Sequence, residues 1–243
     1  MPAAALVTGG SKRIGKEIAL ALASMGYAIA LHYNQSKEDA KKTATQIKAK
    51  GRSCEIFQCD LSNENETRLL VTNVKKRFSN LNLLINSASI FESSKLASPN
   101  TIHSLSRHFA VNFKAPYILS CEFYRLCKKG SIINLLDANI TKNKTGYPEY
   151  LLSKKALADF TRVAAVEFAP YIRVNAIAPG LILPPEGKTN AYLNRLAKNI
   201  PLKTRGSTAQ ITSTVKFLAE NQYLTGQIIF VDGGAHLLNA EKA

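Results

Sequence analysis

The chain is poor in the residues that build disulfide scaffolds and thiolate metal sites. It has no tryptophan, two methionines and four cysteines among 243 residues. The cysteines form no C-x-x-C pair, and their positions are Cys54, Cys59, Cys121 and Cys127. Without a secretion signal they are expected to be reduced thiols in the core or at the surface. We expect no bound metal.

Long hydrophobic runs are also missing. No apolar stretch approaches the ~20 residues that a membrane-spanning helix needs. The first residues, MPAAALVTGG, lack the basic region that opens a secretory signal. The sequence therefore predicts no membrane segment and a cytoplasmic location.

Acidic residues are scarce, with 17 Asp and Glu against 32 Lys and Arg, for a net charge of +15. Such an excess is compatible with nucleic-acid binding. However, the basic residues are scattered in short groups, and no nucleic-acid motif accompanies them. We interpret them as solvated helix faces with a general attraction for anionic cofactors and substrates, and expect no nucleic-acid partner.

What the chain does have is a regular alternation of strand-like and helix-like segments. Hydrophobic residues make up 46% and charged residues 20%, which is typical of a globular protein. Apolar runs of strand length lie at 3–8, 28–33, 54–58, 81–85, 131–136, 172–177 and 227–231. With helical patterns between them, they predict an α/β fold, a Rossmann-type doubly wound sheet with helices on both faces. No repeat, linker or change of composition divides the chain, so 1–243 is expected to be a single domain.

The first strand ends in a glycine-rich turn, TGGSKRIG, and a helical pattern with apolar residues at every fourth position follows it. Strand, turn and helix in this order place backbone N–H groups and a helix N-terminus against a phosphate. The turn therefore predicts a dinucleotide site that includes Gly9, Ser11, Lys12, Arg13, Ile14 and Gly15.

The second strand indicates which dinucleotide binds. NAD-preferring sites commonly place an acid near its end, where this chain has His32, Tyr33, Asn34, Gln35 and Ser36. Cations in the first turn and a nearby hydroxyl favour the 2′-phosphate of NADPH. Other strand ends add the cofactor-binding candidates Asp60, Leu61, Asn86, Ser87, Ala88, Pro179 and Gly180. Asp60 is open to two interpretations, as a cap of the following turn or as a partner of the adenine amine.

Tyr150 and Lys154 stand four residues apart in a predicted helix, so both side chains lie on one face. A nearby ammonium lowers the pKa of a phenol, which would let Tyr150 pass a proton near neutral pH. Asp137 comes thirteen positions earlier, at the end of a predicted strand.

Three further features concern the cleft. Phe91 follows the fourth strand and is either a stacking platform or ordinary core. A long helical region is expected over 102–127, interrupted by Pro116, and its Asn112 either satisfies the kink or takes part in a proton relay. The connection 181–206 has little pattern and is expected to be a substrate loop.

Together these motifs make the chain resemble a short-chain dehydrogenase/reductase from residue 3 to about residue 234. The matching pieces, in order, are Thr8-Gly9, Cys59-Asp60-Leu61, Asn86-Ser87-Ala88, Asn112, Tyr150-x-x-x-Lys154, Pro179-Gly180 and Val231-Asp232-Gly233-Gly234. The resemblance implies a seven-stranded parallel sheet, a nicotinamide cofactor and a homotetramer.

Two departures from the family pattern indicate a smaller group within the family. Arg13 replaces the middle glycine of the turn, and Asp137 replaces the serine that normally assists the tyrosine. Both features are similar to the pteridine reductases and the dihydromonapterin or dihydrofolate reductases. Gln35 stands where some members of that group have an arginine. The resemblance implies NADPH-dependent reduction of a pterin or folate, with a substrate site of Arg13, Ser89, Phe91, Asp137, Tyr150 and Leu181.

The resemblance also assigns roles to residues. Tyr150 or Asp137 supplies a proton to a ring nitrogen, Lys154 binds the ribose hydroxyls, and Asn112 holds a relay water. Alternatives are a 3-oxoacyl-carrier-protein reductase, another carbonyl reductase, or a non-catalytic NADPH-binding regulator. The serine that carbonyl reductases keep is absent here, and the intact Tyr150 and Lys154 argue against a regulator.

Replacing Arg13 and Ser36 together by alanine should raise the KM for NADPH far more than the KM for NADH, because only NADPH carries the 2′-phosphate. Steady-state kinetics with both cofactors measure this. Equal effects on the two KM values would contradict the assignment.

Overall fold

Seven strands alternate with helices in a computed structural model that describes residues 2–185 and 187–238. The strands are β1 Ala4–Val7, β2 Ala28–Tyr33, β3 Cys54–Gln58, β4 Leu81–Asn86, β5 Gly130–Leu135, β6 Ile172–Pro179 and β7 Ile228–Val231. The α-helices are α1 Arg13–Ser24, α2 Lys37–Ala49, α3 Glu64–Arg77, α4 Thr101–Phe109, α5 Ala115–Leu126, α6 Pro148–Glu167, α7 Asn190–Ala197 and α8 Thr208–Glu220. Each predicted strand is present within two residues of its expected ends. The expected domain 1–243 includes residues 1, 186 and 239–243, which lie outside the described residues.

The strands form one parallel sheet in the order β3-β2-β1-β4-β5-β6-β7. The chain first builds outward from β1 to β3 and then restarts on the other side with β4. In sheets of this kind ligands bind at the carboxyl ends of the strands, at the point where the order reverses. That point lies between β1 and β4, and the predicted doubly wound fold is confirmed.

Helices cover both faces of the sheet, which explains why β1 and β2 are buried along their whole length. One apolar layer includes Leu119 and Phe123 of α5, and the other includes Ile18 and Leu22 of α1. Burying each such side chain contributes about 1.5–3 kcal/mol. These two layers fix the loops at the carboxyl edge of the sheet.

The helical region expected over 102–127 is present, but its middle part is not α-helical. It consists of α4, a π-helical turn at Ala110–Lys114, and α5. Pro116 is the second residue of α5, and the backbone is already helical at Lys114 and Ala115, so the missing N–H and the ring act on the preceding turn. The expected interruption is therefore present as the π turn, which carries Asn112 and ends two residues before Pro116.

The connection 181–206 also differs from the expectation of little pattern, because it contains α7. Only Leu193 and Ala197 of this short helix are buried. A single apolar pair at i and i+4 is too weak a signal to predict a helix. By contrast, the capping box predicted at Ser207 is present at the start of α8.

Within the described residues, no helix combines the length and hydropathy that crossing a bilayer requires. The same residues contain no group of three or more Asp, Glu, His or Cys side chains arranged for a metal ion.

Candidate active site

The glycine turn and the end of β4 are joined through one threonine. The Thr8 hydroxyl donates to the Ile85 carbonyl at 3.2 Å and accepts from the N–H groups of Ser87 at 2.9 Å and Ala88 at 3.0 Å. Gly9 has φ +62°, and a Cβ there would lie 2.9 Å from Ala88 Cα. Glycine is thus required by both conformation and space. The predicted cofactor residues of the two loops therefore form one surface.

His32 lies beneath this turn. The Gly9 N–H donates to its Nδ1 at 3.0 Å, and its Nε2 lies 3.0 Å from the Cys59 carbonyl. The ring therefore carries its proton on Nε2, and burial lowers the pKa of His32 so that it stays neutral. Both ring nitrogens of His32 are used within the protein, so the ring supports the cofactor turn. This corrects the prediction that His32 binds the cofactor, because its ring has no nitrogen left for a direct hydrogen bond.

Arg13 opens α1 with a positive φ of 55°. This conformation explains why glycine is usual at the position. Its Nη2 donates to the Pro184 carbonyl at 2.8 Å, which connects the turn to the predicted substrate loop. A cavity of about 420 Å³ beside it is lined by four cations and six other residues. The cations are Lys12, Arg13, Lys16 and Lys42.

The remaining cofactor candidates lie around the same edge. Asp60 caps its turn, since its Oδ1 accepts from the Ser62 N–H at 2.9 Å and hydroxyl at 2.8 Å. Gly180 packs on Asp232, where a Cβ would come within 2.7 Å of the Asp232 Cα. The other candidates differ in exposure. Four are buried: Ser11, Tyr33, Leu61 and Asn86. Four are partly buried, namely Ile14, Ser36, Pro179 and Leu181, and Asn34 is exposed.

Tyr150, Asp137 and Lys154 are brought together at the ends of β5 and α6. The Tyr150 hydroxyl donates to Asp137 Oδ2 at 2.9 Å. Asp137 Oδ1 accepts from the N–H and the side-chain amide of Asn139, at 2.7 and 2.8 Å, which fixes the carboxylate. Lys154 Nζ donates to the Leu135 carbonyl at 2.8 Å and lies 5.9 Å from the centre of the Tyr150 ring.

The electrostatics of this group correct the sequence prediction. Burial, followed by the charge and the hydrogen bond of Asp137, raises the pKa of Tyr150 well above its ordinary value. Burial also lowers the pKa of Lys154 to about 8, against an opposing influence of Asp137. The expected lowering of the phenol pKa by Lys154 is therefore wrong for this arrangement. Tyr150 is held as a neutral phenol that retains its proton.

Asn112 also departs from its expected role. Its Nδ2 donates to the Ile90 carbonyl at 3.0 Å and the Ser153 hydroxyl at 3.1 Å. Its Oδ1 accepts from the Ile90 N–H at 2.9 Å and the Ser89 hydroxyl at 3.1 Å. The hydrogen-bonding capacity of the side chain is thus used within the protein. The amide positions the loop after β4, and its side chain is not available to hold a relay water.

Phe91 is half exposed and lies over the catalytic group. Its ring meets Tyr150 edge-on with centres 4.8 Å apart, so it is not ordinary core. Tyr147, which the sequence analysis missed, lies 5.3 Å from Phe91 and 6.1 Å from Tyr150. Tyr147 is the N-cap of α6, with non-helical backbone angles, so helical spacing could not have placed it beside Tyr150.

These features define a class of protein. A model of the short-chain dehydrogenase/reductases, described as enoyl-(acyl carrier protein) reductase, matches residues 9–236. The chain therefore belongs to the short-chain dehydrogenase/reductase family, a family of oxidoreductases.

Particular relatives and solved structures resemble it over nearly their whole length. The chain is 36% identical to FolM alternative dihydrofolate reductase 1 from Brucella canis, crystallised with NADP, with a TM-score of 0.90 and coverage of 98% and 96% of the two chains. It is 33% identical to pteridine reductase 1 of Leishmania tarentolae, over 97% of each chain. It is 32% identical to the 3-oxoacyl-[acyl-carrier-protein] reductase FabG of Staphylococcus epidermidis, over 98% of this chain and 100% of that protein.

The buried ammonium of Lys154 gives a testable pH dependence. Its pKa in the folded protein is about 8, against 10.5 for an ordinary lysine. Between these values the unfolded chain binds more protons, so stability rises with pH across the window from 8 to 10.5. We expect Lys154→Met to lose this rise, which is on the order of 3 kcal/mol, in denaturant unfolding without cofactor.

The neighbouring Lys155 provides a matched control, because its Nζ bonds to Asn143 Oδ1 at an exposed site. Lys155→Met should keep the rise. Parallel pH profiles for wild type and Lys154→Met would show that the ammonium of Lys154 is not destabilised in the fold.

Proposed function

We propose that the protein reduces a dihydropterin or dihydrofolate to its tetrahydro form with NADPH. The observation that carries the proposal is the hydrogen bond between Tyr150 and Asp137. Reduction of a pterin ring needs a proton at a nitrogen next to the reduced carbon. A carboxylate can exchange hydrogen bonds with such nitrogens and their N–H neighbours, whereas a serine hydroxyl suits the oxygen of a carbonyl substrate.

The residues at the carboxyl edge of the sheet fit NADPH. The start of α1 at Arg13 presents the backbone N–H groups of a helix N-terminus. The cavity beside it is lined by Lys12, Arg13, Lys16 and Lys42 against Glu17 and Asp39, which leaves an excess of positive charge for phosphates. Lys154 uses one N–H in its bond to Leu135, which leaves donors for ribose hydroxyls. The Brucella proteins, which share this fold, were crystallised with NADP. When bound, NADPH supplies the hydride that the reaction consumes.

Tyr150 holds the proton to be transferred on its Oη. Tyr150 is protonated at neutral pH, which is the state a general acid needs before transfer. Its raised pKa makes it a weaker acid than an ordinary phenol, so the transfer needs a neighbouring positive charge as the proton leaves. Asp137 holds the phenol in place through Oδ2, while Asn139 holds the carboxylate through Oδ1. The Lys154 ammonium, 5.9 Å from the ring, stabilises the negative charge that develops on Tyr150 as the proton leaves.

Phe91 supplies the other half of the substrate site. Its exposed ring lies edge-on to Tyr150, with Tyr147 beside it. A flat bicyclic substrate that lies between the nicotinamide and Phe91 gains stacking energy. Arg13, Ser89 and Leu181 complete the proposed substrate contacts.

A second candidate function is reduction of a 3-oxoacyl group on an acyl carrier protein. The identity of 32% to the staphylococcal reductase favours it, and the net charge of +15 would attract an acidic carrier. Asp137 opposes it, because such enzymes normally have serine at this position. The same residue opposes a general carbonyl reductase, and the assembled Tyr150 and Lys154 oppose a non-catalytic NADPH-binding regulator.

We also propose that the protein is a homotetramer. Helices α5 and α6 expose large apolar side chains that a second copy would cover: Tyr117, Tyr124, Leu152, Val163 and Val166. Such exposure is typical of an association surface. Sedimentation equilibrium tests this, and a monomer or a dimer at micromolar concentration would refute it.

Tyr150→Phe should lower kcat with dihydrobiopterin by about 10²–10⁴-fold, the range for loss of a general acid. The affinity for NADPH, measured by the fluorescence of the cofactor, should not change. Tyr147→Phe is the control, since it removes a neighbouring hydroxyl and keeps the ring, and it should retain most of kcat. A Tyr150→Phe enzyme with nearly wild-type kcat would exclude Tyr150 as the acid.

A further inference from the structure

The segment that carries Phe91 has no helix or strand of its own, yet buried polar side chains hold it at alternate residues. Ile90, Glu92 and Ser94 are bonded, in that order, by Asn112, His108 and Glu149. We propose that these three residues form a clamp on residues 90–94, and that Glu149 is a positioning residue that sets Phe91 over the substrate. This inference rests on the proposed function for its kinetic part only.

The three contacts come from three different elements. Asn112 of the π turn accepts from the Ile90 N–H at 2.9 Å. His108 of α4 accepts from the Glu92 N–H at 3.3 Å through Nε2, while its Nδ1 lies 2.8 Å from the Ser104 carbonyl and donates to it. Glu149 of α6 accepts from the Ser94 hydroxyl through Oε2.

Ile90, Glu92 and Ser94 are partly buried, whereas Phe91 and Ser93 between them are exposed. The bonded residues therefore lie toward the protein, and Phe91, which is 51% exposed, lies over the cleft beside Tyr150. Two more bonds close the end of the segment, from the Ser94 N–H and the Ser93 hydroxyl to the Gly146 carbonyl, at 2.8 and 3.2 Å. The clamp thus ties the Phe91 segment to the turn that leads into Tyr147 and Tyr150.

Of the three clamp residues, Glu149 is the one whose burial most needs an explanation. It is 1% exposed, and none of the ion pairs among the described residues includes it. Its Oε1 has no hydrogen-bond partner in the described part of the chain. A buried carboxyl with one free oxygen costs stability compared with an apolar residue of similar size. A role in fixing the Phe91 segment accounts for an acid at this position.

The clamp acts on a contact that the ground state and the transition state share. Phe91 stacks on the substrate ring and exchanges no proton with it, so a displaced Phe91 weakens binding in both states. Such a change raises KM and leaves kcat unchanged. This separates a positioning role from loss of the acid at Tyr150.

Glu149→Ala and Ser94→Ala should each raise the KM for dihydrobiopterin, by up to about tenfold, the value of one aromatic contact. In both variants kcat should stay within about twofold and the affinity for NADPH should not change. Glu149→Gln should restore the wild-type KM, because its amide oxygen still accepts from Ser94. In a Phe91→Ala background, Glu149→Ala should have no further effect. Glu167→Ala, at the exposed end of the same helix, is the control and should behave as wild type.

Hydrogen exchange provides a readout that needs no substrate. The amides of residues 90–94 should exchange faster in Glu149→Ala and Ser94→Ala than in wild type or Glu149→Gln. Unchanged exchange, or a KM effect that persists fully without Phe91, would overturn the clamp. If the wild-type enzyme does not turn over dihydrobiopterin, the proposed function fails, and the exchange result still decides whether the clamp exists.

Discussion

The hydrogen bond between Tyr150 and Asp137 joins the two elements on which the site is built. Asp137 follows β5 directly, Tyr150 lies in the first turns of α6, and Lys154 returns from α6 to the Leu135 carbonyl of β5. The parallel sheet fixes where β5 ends, and the packing of α6 against the sheet fixes its distance from that end. Tyr150 and Lys154 can therefore be buried beside the partly buried Asp137, each with defined partners.

Burial is also what sets their chemistry. It raises the pKa of Tyr150 and lowers the pKa of Lys154, because a low dielectric disfavours the charged form of each group. The charge of Asp137 raises the pKa of Tyr150 further and opposes the lowering of the pKa of Lys154. The result is a neutral phenol between a carboxylate and an ammonium, an arrangement that holds one transferable proton next to the face on which Phe91 lies.

The sequence was sufficient for the fold and indicated Tyr150, Asp137 and Lys154, but it did not show the state of each residue. Strands buried on both faces have continuous apolar runs, and glycine turns follow from backbone sterics, so β1 and the turn at Gly9 were predictable. The pKa of Tyr150 was not, because spacing within α6 shows its neighbour Lys154 but not the burial that outweighs it. The bonds of His32 and Asn112 depend on β3 and on the loop after β4, which are distant in sequence. Glu149 gave no signal, since its partner Ser94 lies 55 residues away.

NADPH oxidation with dihydrobiopterin and with an acetoacetyl thioester, for wild type and Asp137→Ser, is the most direct test of pterin reduction by this site. Wild type should oxidise NADPH with the pterin, and Asp137→Ser should lose at least about tenfold of that rate, since the carboxylate that orients Tyr150 is gone. Turnover of the thioester without turnover of the pterin would contradict the account and assign the protein to the acyl-carrier branch of its family.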